Sequence, residues 1–334
     1  MKIMYENFSV ATRLILKECE SRGIDIQVLY NNKIVELICG SHREILYAQV
    51  SSKTSSPALL ACVNKEITKH FLSKSTISVA KGKSFRADQL DEAVKYYKNN
   101  LSTPIVIKPS NGKWGQGVYT NINDKKQLEK YWKILVNNSV HKILLEEQFP
   151  TNKEYRLLAT REKFLAATIR IPANIVGDGQ KTVQKLIDQK NSDPGRSENS
   201  HDPVVKIKID DVVENTLREQ DLTLDSILNK DQQVFLRHNS NLSTGGDSID
   251  TTDIVHESVE KIAVAVVNAI PGLAYAGVDF MCKDVTKEQK PKDYIIVEVN
   301  SSPGIDMHHY PYSGKPRNVA KGIVDVIFPE TKTN

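Results

Sequence analysis

The stretch Tyr294-Ile-Ile-Val-Glu-Val-Asn-Ser-Ser-Pro-Gly304 decides the fold when it is read with Ala276-Gly-Val-Asp-Phe-Met281. Side chains alternate across a strand, so Glu298 and Asn300 share one face while Val297 and Val299 point into a core. Asp279 is a lone acid inside the second apolar run. The polar, Lys-rich segment 283–292 between the runs suits a turn, which would lay the two strands side by side. Two carboxylates and an amide oxygen would then meet at one spot. That hard-oxygen set suits Mg²⁺, whose shell is completed by phosphate oxygens and water. The competing reading is a buried acid pair satisfied by backbone donors, since buried acids are rarely left unpaired.

A second feature lies upstream. Pro104-Ile-Val-Ile-Lys-Pro109 is a β-branched run, followed by Ser110-Asn-Gly-Lys-Trp-Gly-Gln-Gly117 and then Val118-Tyr-Thr120. A loop holding Gly112, Gly115 and Gly117 between two strands can bring backbone N–H groups close to phosphate oxygens, because glycine has no Cβ. Lys108 would stand beside it as a point charge. An ordinary glycine-containing hairpin is the alternative. The loop is not a Walker A motif, because no Gly-Lys-Ser/Thr closes it.

Lys65, Lys108 with its glycine loop, Glu146-Glu-Gln-Phe149, Glu154-Tyr-Arg156, Asp279 and Glu298-Val-Asn300 stand in the order seen in the ATP-grasp superfamily, which the chain resembles. Three strings narrow the resemblance to cyanophycin synthetase and the ATP-grasp half of bifunctional bacterial glutathione synthetase. They are Asn64-Lys-Glu-Ile-Thr-Lys69, Ile169-Arg-Ile-Pro-Ala-Asn-Ile-Val-Gly-Asp-Gly179 and Leu236-Arg-His-Asn-Ser-Asn-Leu-Ser-Thr-Gly-Gly-Asp-Ser-Ile-Asp250. The resemblance runs from about Ser9 to about Ile327. It implies an α/β fold of two α+β lobes sandwiching ATP, behind a short N-terminal α/β domain: 1–57, then 58–149 with the glycine loop, then 150–334 with the metal site. The leading section is small for the domain such enzymes carry, which puts an acceptor-binding role for it in doubt.

The resemblance also implies roles. Lys65 would reach the α-phosphate, with Lys108, Gly112, Gly115 and Gly117 around the other phosphates. Glu146, Glu147 and Phe149 would form the inter-lobe hinge that reads adenine, with the choice between the two acids open. Glu154 would hold the ribose. Asp279, Glu298 and Asn300 would carry one or two Mg²⁺, which Mn²⁺ can replace. Ser301, Ser302 and Gly304 would help hold the acceptor. Arg156, Arg170 and Arg237 are the candidates for clamping γ-phosphate, acyl phosphate or a substrate carboxylate through the bidentate guanidinium. For Arg156 a surface ion pair worth under about 1 kcal/mol is the competing reading. Lys69 reads as a solvated-face lysine. His308 and His309 stay outside the metal set because Mg²⁺ prefers oxygen.

The activity implied is ATP-dependent joining of a carboxylate to an amine through an acyl phosphate, releasing ADP and phosphate. An amino acid or small peptide is the expected substrate; a carrier-bound or ribosomal peptide, or a phosphotransferase reaction, is the alternative. The glutamate–cysteine ligase half of the one relative and the Mur-ligase-like half of the other are expected to be missing. Net charge is +4 and spread along the chain, which gives no nucleic-acid stripe. The four cysteines are scattered without a CxxC, as reduced thiols would be. With no signal-peptide core and no apolar run of membrane-span length, a cytoplasmic enzyme with no membrane partner is expected. Oligomeric state is open, a homodimer among the options.

Periodicity predicts a helix from Ser9 to Gly23, then strands over 24–29, 33–38 and 44–50 around Tyr30-Asn-Asn32. A single helix is expected through Leu60, Val63, Ile67 and Leu72, with Lys65 and Lys69 on its polar side. Further helices are expected over 124–136, 254–270 and 318–328, and strands over 142–147 and 164–169. The polar segment 191–203 reads as a plain surface loop. The segment 239–250 reads as a loop that closes on substrate.

Overall fold

The computed structural model describes residues 5–30, 33–112, 116–151, 153–199 and 202–332. Gly115 of the glycine loop, and Asn31 and Asn32 of the first turn, lie outside them.

Helix α1 (Val10–Ser21) begins where the Ser9 hydroxyl accepts from Thr12 N. It is followed by an antiparallel meander of β1 (Asp25–Tyr30), β2 (Ile34–Cys39), β3 (His42–Tyr47) and the short β4 (Val50–Ser51). Where one helix was expected, the chain makes two, α2 (Ser56–Val63) and α3 (Lys65–Lys74). The break is at Asn64, whose side chain takes the free N–H groups of Glu66 and Ile67 and so starts a new helix. The break also changes the buried face. Leu60, Val63 and Ile67 are exposed, while Ala58, Ala61, Cys62, Lys65, Thr68 and Leu72 are buried.

The first lobe holds β5 (Gly82–Arg86), α4 (Leu90–Asn100), β6 (Ile105–Pro109), β7 (Tyr119–Ile122), α5 (Lys125–Asn137) and β8 (Lys142–Glu147). Its sheet runs β5-β8-β6-β7 and is antiparallel at each pairing. Alternation sends Ile105, Ile107, Ile143 and Leu145 into a core with Trp132 and Leu135. Val106, Lys108, Leu144 and Glu146 therefore face the other way.

The second lobe centres on the sheet β13-β10-β9-β14-β15. In chain order these strands are β9 (Glu154–Thr160), β10 (Phe164–Ile171), β13 (Asp247–Asp250), β14 (Tyr275–Cys282) and β15 (Tyr294–Asn300). Between β10 and β13 lies a small subdomain of β11 (Asn174–Val176), α6 (Val183–Asn191), α7 (Asp211–Arg218) and β12 (Gln233–Phe235), with its own core of Ile175, Ile187, Val213 and Leu236. Helix α8 (Glu257–Ala269) packs one face of the large sheet through Val259, Ala263, Val266 and Val267, with Val255 and Ile262 partly buried beside them. After β15 come α9 (Asp306–His309) and α10 (Val319–Ile327).

The cores cross the boundary expected at 58. Ala58, Ala61, Cys62 and Leu72 share a cluster with Tyr155, Val278 and Phe280 of the second-lobe sheet. Phe8, Ile15, Leu16, Leu37 and Leu46 pack with Leu158, Tyr275, Ile323, Ile327 and Phe328. The N-terminal section is thus built onto the far face of the second lobe.

Candidate active site

Strand register builds the site. Glu298 on β15 lies opposite Asp279 on β14, Asp279 opposite Arg156 on β9, and Arg156 opposite Thr168 on β10. The next row sets Glu154 opposite Arg170. Asn300 lies opposite Gly277, on the same face as Glu298. One face of one sheet therefore gathers the acids and two of the arginines singled out in the sequence. Gly277 is needed here: a Cβ would meet Arg156 Nη1 at 3.0 Å and Pro303 Cβ at 3.1 Å.

Arg156 Nε donates to Asp279 Oδ1 at 2.6 Å, and Arg170 Nη2 lies 3.1 Å from Asp279 Oδ2. Arg170 also pairs with Glu154, to which Ser240 of the 239–250 loop donates a hydrogen bond. Burial by itself would raise the Asp279 carboxyl, but the two guanidiniums override it and hold the group below its ordinary range. Glu298 goes the other way: burial pushes it up, Lys65 opposes, and the Asp279 charge adds to the rise.

Across the cleft, Lys65 Nζ stands 3.9 Å from Glu298 Oε1 and donates to the Gly112 carbonyl of the glycine loop at 2.9 Å. Burial lowers the Lys65 ammonium, and Glu298 resists that. Lys108 is buried and ion-paired to Glu146, which also binds Lys69. Lys69, read from the sequence as solvated, is thus part of the site. The sign it left was its place four residues after Lys65, on the same face of α3. Glu147 is half-buried and its side chain accepts from Ser102 N at 2.9 Å. Phe149 follows as a half-buried residue between the lobes' sheets.

Ser301 is buried, whereas Ser302 is exposed and donates to Gln49 Oε1 at 3.1 Å. Gln49 belongs to the N-terminal section and is anchored to Ser9 and Thr12. That section therefore touches the loop expected to hold the acceptor. Gly304 lies in the same loop, next to Asp306. Gly117 closes the glycine loop at φ +69°, a left-handed conformation that suits glycine. Arg237 stands apart from the acid row; it pairs with Asp210 at 2.6 Å, and its Nε is buried without a partner. His308 bonds Thr168 Oγ1 through Nδ1 at 2.8 Å, and burial together with Arg156 pushes it down to about 3, so it is neutral.

Among the described residues no group of three or more His, Cys, Asp or Glu is placed to enclose a metal. Mg²⁺ is commonly held by one or two carboxylates plus substrate phosphates rather than by an all-protein cage. Asp279 and Glu298 as cross-strand neighbours, with Asn300 on the same face to offer its amide oxygen, fit that arrangement. The buried thiols Cys19, Cys62 and Cys282 are pushed up to about 12 by burial, which disfavours the thiolate.

No family model matches the chain. The glutathione biosynthesis bifunctional protein of Clostridium perfringens is 34% identical over 97% of this chain and 42% of its own length. The cyanophycin synthetase of Crocosphaera subtropica is 35% identical over 96% of this chain and 36% of its own length. Among solved structures, the bifunctional glutathione synthetase of Pasteurella multocida superposes with a TM-score of 0.75 at 33% identity, covering 98% of this chain and 44% of that one. The fold is that of the ATP-grasp ligases. The chain is similar to a segment present in both bifunctional glutathione enzymes and cyanophycin synthetases, and it spans about two-fifths of the length of those relatives. No helix among the described residues is long and apolar enough to cross a membrane.

Proposed function

We propose that the chain is an ATP-dependent carboxylate–amine ligase that forms an amide through an acyl phosphate, with an amino acid or small peptide as substrate. The observation that carries the reading is the acid–arginine row of Glu298, Asp279 and Arg156, set opposite Lys65 at 3.9 Å and the glycine loop. ATP lies between these two faces. Lys65 and Lys108 supply positive charge along its phosphates, and the glycine loop covers them. Bound Mg²⁺, held by Asp279, Glu298 and Asn300, supplies charge neutralisation on the phosphate oxygens, and Mn²⁺ serves in its place.

Arg156 and Arg170 orient the substrate carboxylate for in-line attack on the γ-phosphate and stabilise charge on the equatorial oxygens. The carboxylate O–P bond forms as the ADP–phosphate bond breaks. An amine then attacks the acyl carbon, the C–N bond forms, and phosphate departs with the proton released by nitrogen. Ser301, Ser302 and Gly304 hold the acceptor, and Ser240 brings the 239–250 loop down on Glu154 so that water is kept from the acyl phosphate. The names of the relatives tie them to glutathione and cyanophycin, which supports an amino-acid or peptide acceptor here.

Trapping tests the reaction order. With ATP, Mg²⁺ and the correct acid but no amine, hydroxylamine should intercept the acyl phosphate and yield a hydroxamate. A stable phosphorylated product that resists hydroxylamine would mark a phosphotransferase instead.

A further inference from the structure

Glu146 looks into the cleft from β8, opposite Val106 on β6 and Gly82 on β5. Lys108 places its ammonium on Oε1, and Lys69, from α3, places its own on Oε2. Lys69 also donates to the Ala80 carbonyl at 3.0 Å. The three side chains are nearly closed to water, at 7% exposure for Glu146, 6% for Lys108 and 14% for Lys69. Gly82 makes the room: a Cβ there would strike the Leu145 carbonyl and come within 2.6 Å of Glu146 Cβ.

Charges shut away from water must be stabilised by one another, and removing one partner leaves the others uncompensated. Here two cations share one anion, so the cluster keeps a surplus positive charge beside the glycine loop. Helix α3 rests on the second-lobe core through Leu72, yet reaches the first-lobe sheet through Lys69 to Glu146, Glu66 to Lys142, and Lys65 to Gly112.

We infer that Glu146 is a positioning residue, which holds the Lys108 ammonium for phosphate and ties α3 to the first-lobe sheet, and that Lys69 is a further cation of the nucleotide phosphate site. The inference rests on the nucleotide-site reading above. Lys69 faces Glu146 and Lys108 across the cleft floor and Glu66 along its own helix, with Lys65, Glu298 and Asp279 beyond. Burial lowers the Lys69 ammonium, and Glu146 opposes that. Without the Glu146 charge, Lys69 gives up its proton at lower pH.

The experiment measures ADP binding by calorimetry, without Mg²⁺, from pH 6.5 to 9.5 for the wild type, Glu146→Gln and Glu146→Asp. The alkaline loss of affinity should begin at lower pH in Glu146→Gln, with binding about tenfold weaker at the alkaline end, while Glu146→Asp keeps the wild-type profile. Superposition of Glu146→Gln on the wild type at every pH overturns the inference. Absence of ADP binding by the wild type sinks the nucleotide-site reading first. Should Glu146→Gln fail to fold, Lys69→Met carries the test: about tenfold weaker ADP binding at neutral pH is expected, and unchanged affinity overturns the role of Lys69.

Discussion

Asp279 and Glu298 are neighbours on one strand pair, yet their surroundings drive them apart. Two arginines keep Asp279 ionised, while burial and the adjacent negative charge raise Glu298. Such a split fits a site whose charge is completed on binding, since a cation between the two would satisfy Glu298 as the arginines already satisfy Asp279. Replacing Glu298 or Lys108 by Ala should each reduce turnover by about a thousandfold or more, consistent with loss of transition-state charge stabilisation. Both variants should melt cooperatively, and a wild-type rate in either would remove it from the machinery.

Glu146 makes a separate prediction for stability. Burial alone would raise it, but Lys108 and Lys69 bring it down from 4.5 to about 2. A depressed carboxyl stabilises the fold above its unfolded value and loses that contribution as pH falls through the folded one. The resistance of the wild type to denaturant should therefore fall as pH drops from about 4.5 to about 2. Glu146→Gln should show less of that loss; identical pH slopes would contradict the buried triad. The acid row was legible from alternation in two short strings, because the register is regular from Gly277–Asn300 to Asp279–Glu298 and shifts only beyond it, where Val297 is an extra residue. Lys69 was not, since its inward orientation depends on where Asn64 starts a new turn.

At the scale of elements, the α2–α3 break and the inserted subdomain are the main departures from the sequence reading. An uninterrupted helix would have buried Leu60, Val63 and Ile67, and these are the residues the structure exposes. The segment 191–203, read as a plain surface loop, carries a buried Arg196. Its Nη1 donates to the Val205 carbonyl at 2.7 Å, its Nη2 pairs with Asp247, and its guanidinium lies 4.7 Å from the Tyr312 ring centroid. Lys190 adds a second cation to Asp247 at 2.6 Å. Polar composition hid this, because a charge is buried only when a distant partner is supplied, and Asp247 is on another strand. Arg196→Met should cost about 1.5–3 kcal/mol, because Asp247 loses one charged partner while Lys190 keeps the other oxygen paired. Thermal unfolding checks it, and an unchanged melting temperature would show the pair to be dispensable.

Across the whole molecule, the fold class was readable from the sequence, but the sharing of cores was not. The N-terminal meander puts Leu37 and Leu46 into the same core as Ile323 and Ile327 of the C-terminal helix, a pairing of distant segments that no local pattern encodes. Removal of residues 1–51 should expose that core and yield protein that aggregates or is cut rapidly by protease. A monodisperse, protease-resistant product would show the section to be an independent appendage. Gln49 against Ser302 gives the same section a place beside the expected acceptor loop.

The central claim is that this site joins an acid to an amine at the expense of ATP. Phosphate release with ATP and Mg²⁺ should be measured across a matrix of amino acids and short α- and γ-linked peptides, with mass spectrometry of each active mixture and Glu298→Ala as the blank. The account predicts release only where one particular acid meets one particular amine, with a product lighter than their sum by one water. Transfer of phosphate to a single substrate that keeps it, with no free phosphate and no need for an amine, would contradict it.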